Sequence, residues 1–94
     1  LSPFASRRQF DGLLRLNTPD DPTIDQRVKG TLRQYCSTFV LINLREIAQG
    51  TRLEQAYQVK LRETSFRQNL VTAIRAVEEV HDVSLLMQDP SLEV

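Results

Sequence analysis

Only one cysteine occurs in the sequence, Cys36, so no disulfide can form within the chain, and the composition suits a reducing compartment. Histidine is equally scarce, with one copy, and glycine has three. No Ser-His-Asp arrangement, phosphate-cradling glycine loop or paired catalytic carboxylates can be assembled from so little material, and the chain is expected not to be an enzyme. No charge of one sign dominates: twelve basic and twelve acidic residues cancel and are mixed along the chain. That balance lacks the basic footprint of a protein that grips nucleic acid, so no nucleic-acid partner is expected. No apolar run approaches the roughly 20 residues that span a bilayer, and no signal-peptide pattern opens the chain, so this segment is not expected to insert into a membrane.

What is present fits a single domain of 94 residues, with a core small enough that every member matters. Residues 1–9 mix Ser, Pro and the adjacent Arg7 and Arg8 without periodicity and read as a linker or arm. Residues 10–89 form the domain, and residues 90–94 a tail beginning at Pro90. Within the domain, FDGLLRLN (10–17) alternates as a short strand, stopped by TPDDP. Asp21 followed by Pro22 signals a helix start. Ile24, Val28, Leu32 and Tyr35 then recur at helical spacing to about Cys36, interrupted only by Gly30. Residues 38–47 and 52–63 read as two strands around a turn at Ala48-Gln49-Gly50. Ser65 precedes Phe66, Leu70, Ile74 and Val77, a second amphipathic helix expected to end near His81. Asp82 to Gln88 is the last strand, with Val83, Leu85 and Met87 on one side.

The order β-α-β-β-α-β is the split βαβ arrangement called ferredoxin-like, an α+β two-layer sandwich. Right-handed crossovers place its antiparallel strands in the order 4-1-3-2, with both helices on one face. A unit of this size and order, closing on VHDVSLLMQD, resembles an ACT-type regulatory domain. More specifically, residues 10–89 resemble the cytosolic C-terminal domains of bacterial multi-pass membrane proteins such as the MgtC/SapB family. The resemblance implies a cytoplasmic regulatory or assembly domain, attached to a parent membrane domain and paired with another copy. The chain opens LSPFASRRQ without an initiator methionine, which suits a segment of a longer protein, and Arg7 and Arg8 suit the cytoplasmic side of a membrane-spanning segment.

Other candidate sites have ordinary structural readings. Asp20, Asp21 and Asp25 offer hard oxygen ligands for a divalent cation, but carboxylates near a helix start usually cap it and offset its dipole. The loop Asn17-Thr18-Pro19-Asp20-Asp21-Pro22 contains no glycine, whereas ligand-binding ACT domains usually place one there. Glu78 and His81 have the i, i+3 spacing of a carboxylate–histidine metal pair on one helix side, without a second pair to complete it. Cys36, with no sequence-near histidine to activate it, reads as a small buried apolar residue. No metal and no cofactor are expected. The RNA-recognition fold shares the topology but stacks bases on aromatics of the open sheet side. Here Leu53, Tyr57, Val59 and Leu61 of strand 3 should face the core, leaving Glu54, Ala56, Gln58, Lys60 and Arg62 outward. In strand 1, Leu14 and Leu16 should face in, and Leu13 and Arg15 out, with no aromatic on the open side.

The contrast between strands 2 and 3 points to association. Strand 3 alternates, whereas Phe39, Val40, Leu41 and Ile42 are consecutive and apolar on what the topology makes a sheet edge. An edge dry on both sides invites a neighbour. The expected contact comprises Phe39, Val40, Leu41 and Ile42, with Leu13 and Leu86 on the sheet face, in a homo-oligomer. Two alternatives share the fold: a small-molecule or divalent-cation sensing ACT-type domain, and a stand-alone subunit of a larger assembly.

Overall fold

The computed structural model describes residues 9–88. Arg7, Arg8 and the rest of the arm before Gln9, together with the tail from Pro90 to Val94, lie outside the described residues. Four strands and two helices follow one another in β-α-β-β-α-β order: β1 (Gly12–Pro19), α1 (Pro22–Tyr35), β2 (Cys36–Ile47), β3 (Arg52–Leu61), α2 (Arg67–Arg75) and β4 (His81–Met87). All pairings are antiparallel, and the sheet order is β2-β3-β1-β4, the expected order read from the other edge. Ile24, Val28 and Leu32 of α1 and Leu70 and Ile74 of α2 share one buried cluster with Leu14, Leu16, Tyr57, Val59 and Leu61. Both helices therefore cover the same side of the sheet, and the fold is a ferredoxin-like α+β sandwich. Burying each such side chain contributes about 1.5–3 kcal/mol, so this cluster carries most of the stability.

Local chemistry explains where the elements start and stop. Asp21 is extended, and its Oδ1 accepts the Thr23 amide hydrogen at 2.8 Å while Pro22 begins α1. β1 runs beyond the expected stop to Pro19, because Asn17 and Thr18 are buried and pair with Glu54 and Leu53. The proline sits at the strand end, where a missing amide donor is tolerated. Gly12 admits β4: a Cβ there would lie 2.9 Å from the Leu86 carbonyl oxygen and 2.9 Å from the Met87 sulfur. The hairpin turn falls where the sequence places it, with Ala48, Gln49 and Gly50 all at positive φ (52°, 56° and 84°). Thr51 closes it by donating its hydroxyl to the Ala48 carbonyl at 2.7 Å.

The second helix departs from expectation. A single 3-10 turn, Thr64–Phe66, precedes it, and α2 ends at Arg75. Val77 and Val80 still contact the core, but from a connecting turn in which Glu79 is left-handed (φ 71°). His81 is accordingly the first residue of β4 and Glu78 belongs to the turn, so the proposed i, i+3 pair on one helix side does not exist.

Candidate functional site: an apolar sheet edge

β2 lies at the sheet edge and follows α1 directly, with the Cys36 amide still donating to the Leu32 carbonyl. Phe39 stands opposite Val59 and Leu41 opposite Tyr57. Residues directly opposite share a side of the sheet, so Phe39 and Leu41 face the helix layer, and Val40, opposite Gln58, faces the open side. The register slips at Ser37 and again at Ile42, each an extra residue in β2. Such bulges break a strand's alternation. After Ile42 the phase reverses: Leu44 stands opposite Gln55 and therefore faces the helix side, like Leu41. Its exposure adds a member that the sequence pattern missed.

Val40, Leu41, Ile42 and Leu44 are 44, 41, 50 and 55 % exposed, and with Leu86 at 71 % they are the large exposed apolar residues among those described. Phe39 is turned inward and half-buried, its ring 6.1 Å from that of Tyr57 at 67°. Leu13 is half-buried on the open side, flanked by Leu86 on β4 and Gln58 on β3. Since Gln58 also stands opposite Val40, one row crosses the open side as Leu86, Leu13, Gln58, Val40. The six expected contact residues thus divide into an edge strip, a face row that meets the strip at Val40, and Phe39, which anchors the edge to the core.

The expected inward and outward sets of β3 hold, with one inward residue to add and one outward residue that is nonetheless buried. Gln55, left out of the inward set, is buried there: its amide donates to the Thr18 hydroxyl at 2.9 Å and its carbonyl accepts from Tyr57 Oη at 3.4 Å. Ala56, assigned outward, is buried between Arg15 and Asn43 on the open side, a methyl too short to rise above its neighbours. Register places no aromatic of the described strands on that open side, so the base-stacking platform of an RNA reader is missing.

The remaining candidates are occupied with structure. Asp21 caps α1, and Asp25 pairs with Lys29 at 3.1 Å. Among the described residues no group of three or more His, Cys, Asp or Glu side chains could hold a metal ion. Cys36 is buried, and burial pushes its thiol up to about 11, with Arg62 opposing and Asp11 adding to the shift. At neutral pH it is a protonated, inert thiol. A shallow groove of about 540 Å³ runs between the helices past Gly30, Thr31, Ala73 and Ala76, open to solvent along its length. No helix among the described residues is long and apolar enough to cross a membrane.

No family model matches the chain, and no curated protein sequence matches it. Among solved structures, the chain is similar to the ACT domain from the GTP pyrophosphokinase of Chlorobium tepidum, with a TM-score of 0.59 and 16 % identity over 82 % of this chain and 97 % of that one. The likeness is one of fold: the chain has an ACT-like, ferredoxin-like architecture.

Proposed function

We propose that the chain is a non-catalytic regulatory or assembly module that associates with copies of itself. Its setting is the cytosolic side of a membrane, attached to a membrane protein of the MgtC/SapB kind. The observation that carries the reading is the β2 edge, apolar on both sides and exposed in a single copy. Edge strands are ordinarily blunted by charge or proline, and residues 38–44 contain neither. The ACT-like fold supports a regulatory role by analogy, and membrane attachment rests on the family resemblance alone.

Such a module acts by geometry. Pairing fixes the relative position of whatever the two copies are joined to, and an effector influences the parent protein only to the extent that it prefers one arrangement. Sedimentation velocity across a hundredfold range of concentration tests the association: the weight-average coefficient should rise toward that of a dimer. A concentration-independent monomer would remove the basis of the reading. Extraction of the natural full-length protein from cells tests the setting, with recovery in the detergent-soluble membrane fraction expected.

A further inference from the structure

The chain carries no net charge, yet its charges are sorted along the strands. The domain measures 41 × 24 × 22 Å, and the 12 residues of β2, at about 3.3 Å each, span nearly the whole long axis. At one end of that axis β1 and β2 begin, β3 and β4 finish, and α1 meets α2 through the edge-to-face contact of Tyr35 with Phe66. Arg33, Arg62 and Arg67, all exposed, and the half-exposed Lys60 lie there. The other end, where β1 and β2 finish, presents the exposed Asp20, Asp21, Glu46, Glu78, Glu79 and Asp82. We infer that the basic end is a docking face for the anionic headgroups of a lipid bilayer. The inference rests on the membrane setting proposed above and specifies which end of the domain meets the membrane.

Local structure accounts for some of these cations and not for others. Arg62 donates Nε and Nη2 to the Arg33 carbonyl at 3.2 and 3.0 Å. Both are thereby held at the C-terminal end of α1, where positive charge is favourable. Arg67 has no such reason. It opens α2, where a cation opposes the helix dipole, and no acidic residue stands in that first turn to balance it. Of the two acids at this end, Asp11 and Glu63, Asp11 is engaged by the fold: its Oδ2 accepts the Leu61 amide hydrogen at 2.9 Å, and its Oδ1 lies 3.9 Å from Lys60. An excess of positive charge is left at the surface.

Connectivity points the same way. The described chain enters and leaves at the basic end, where the Gln88 amide donates to the Asp11 carbonyl at 2.7 Å. A membrane domain joined on either side would bring this end to the bilayer. Screening at physiological salt acts over about 8 Å, far less than the 41 Å long axis, so an anionic surface attracts the basic end without repelling the acidic one. The surface also discriminates between arrangements of paired copies, favouring those that turn both basic ends to it. That preference is what gives an effector influence over such a module.

Vesicle flotation of the 94-residue chain tests the docking face. Vesicles of phosphatidylcholine alone are compared at low salt with vesicles containing about 30 % phosphatidylglycerol, and each cation near the anionic surface should raise partitioning about fivefold. Binding should favour the anionic vesicles and vanish at about 0.5 M salt. Arg67→Glu changes the charge at this end by two, so its partitioning should fall at least about tenfold. Its urea midpoint should hold or rise, because a carboxylate suits the first turn of a helix. Arg75→Glu, at the far end of α2, has the same net charge and should bind like the unmodified chain. Equal binding to both vesicle types, or an equal loss in the two variants, would overturn the docking face. With the full-length protein still recovered in the membrane fraction, that result would leave the membrane setting standing; recovery elsewhere would overturn the setting itself.

Discussion

A single guanidinium ties three parts of the chain together at the end of the sheet where β1 finishes and β3 begins. Arg52 Nε donates to Asn17 Oδ1 at 2.6 Å, and Arg52 Nη2 donates to the Asn17 carbonyl at 3.1 Å and to the carbonyl of Glu79. Asn17 passes the connection on, its amide donating to Asp82 Oδ2 at 2.6 Å. Glu79 and Asp82 both adopt positive φ without being glycine, a conformation that needs outside support. Arg52 and Asn17 provide it, fixing the turn that leads from α2 into β4. Arg52→Ala leaves the buried Asn17 carbonyl oxygen without its donor and should cost about 1–3 kcal/mol. Hydrogen exchange would separate this from general loosening: residues 79–82 should lose protection disproportionately compared with α1. Arg52→Lys should recover only part, because an ammonium cannot reach Asn17 and Glu79 with a planar fork.

At the level of elements, α1 contains an avoidable weakness. Gly30 sits within the helix, and a Cβ placed there meets nothing within 4 Å. Glycine inside a helix costs about 0.5–1 kcal/mol relative to alanine, so Gly30→Ala should stabilise the domain by roughly that amount in urea denaturation, with an unchanged slope. The placement of α1 and β3 was legible because their buried residues follow the helical and alternating periods: Ile24, Val28 and Leu32 in one, Tyr57, Val59 and Leu61 in the other. The end of α2 was not, since Val77 and Val80 remain near the core after the chain has left the helix, and apolar spacing alone cannot distinguish a last helical turn from an inward-packed connection. Leu44 escaped for a different reason. Its side depends on the slip at Ile42, which no glycine or proline marks, so only the pairing with β3 reveals that it joins Leu41. The edge position of β2 followed from chain order and crossover handedness; the bulges that shape its candidate contact required tertiary structure.

For the molecule as a whole, burial of two weak acids sets a limit on alkaline stability. Burial raises the Cys36 thiol from 9.0 to about 11. It likewise raises the Tyr57 phenol from 10.0 to about 12, with the Asp25 carboxylate adding to the shift. Both groups are neutral when protonated, and in each case the folded chain holds its proton more tightly than the unfolded chain. Their stabilising effect is therefore complete below pH 9 and declines as pH rises, between about 9 and 11 for Cys36 and between about 10 and 12 for Tyr57. The unfolded state binds fewer protons through this window, so the slope of unfolding free energy against pH is negative. A shift of about two units corresponds to roughly 2–3 kcal/mol per group, enough to matter in a domain of this size. Urea denaturation at pH 8 and pH 11 should show the loss. Cys36→Ala, although less stable at pH 8 through lost packing, should show a smaller fall between the two conditions. An equal fall in both proteins would mean that the Cys36 thiol does not contribute to the pH dependence.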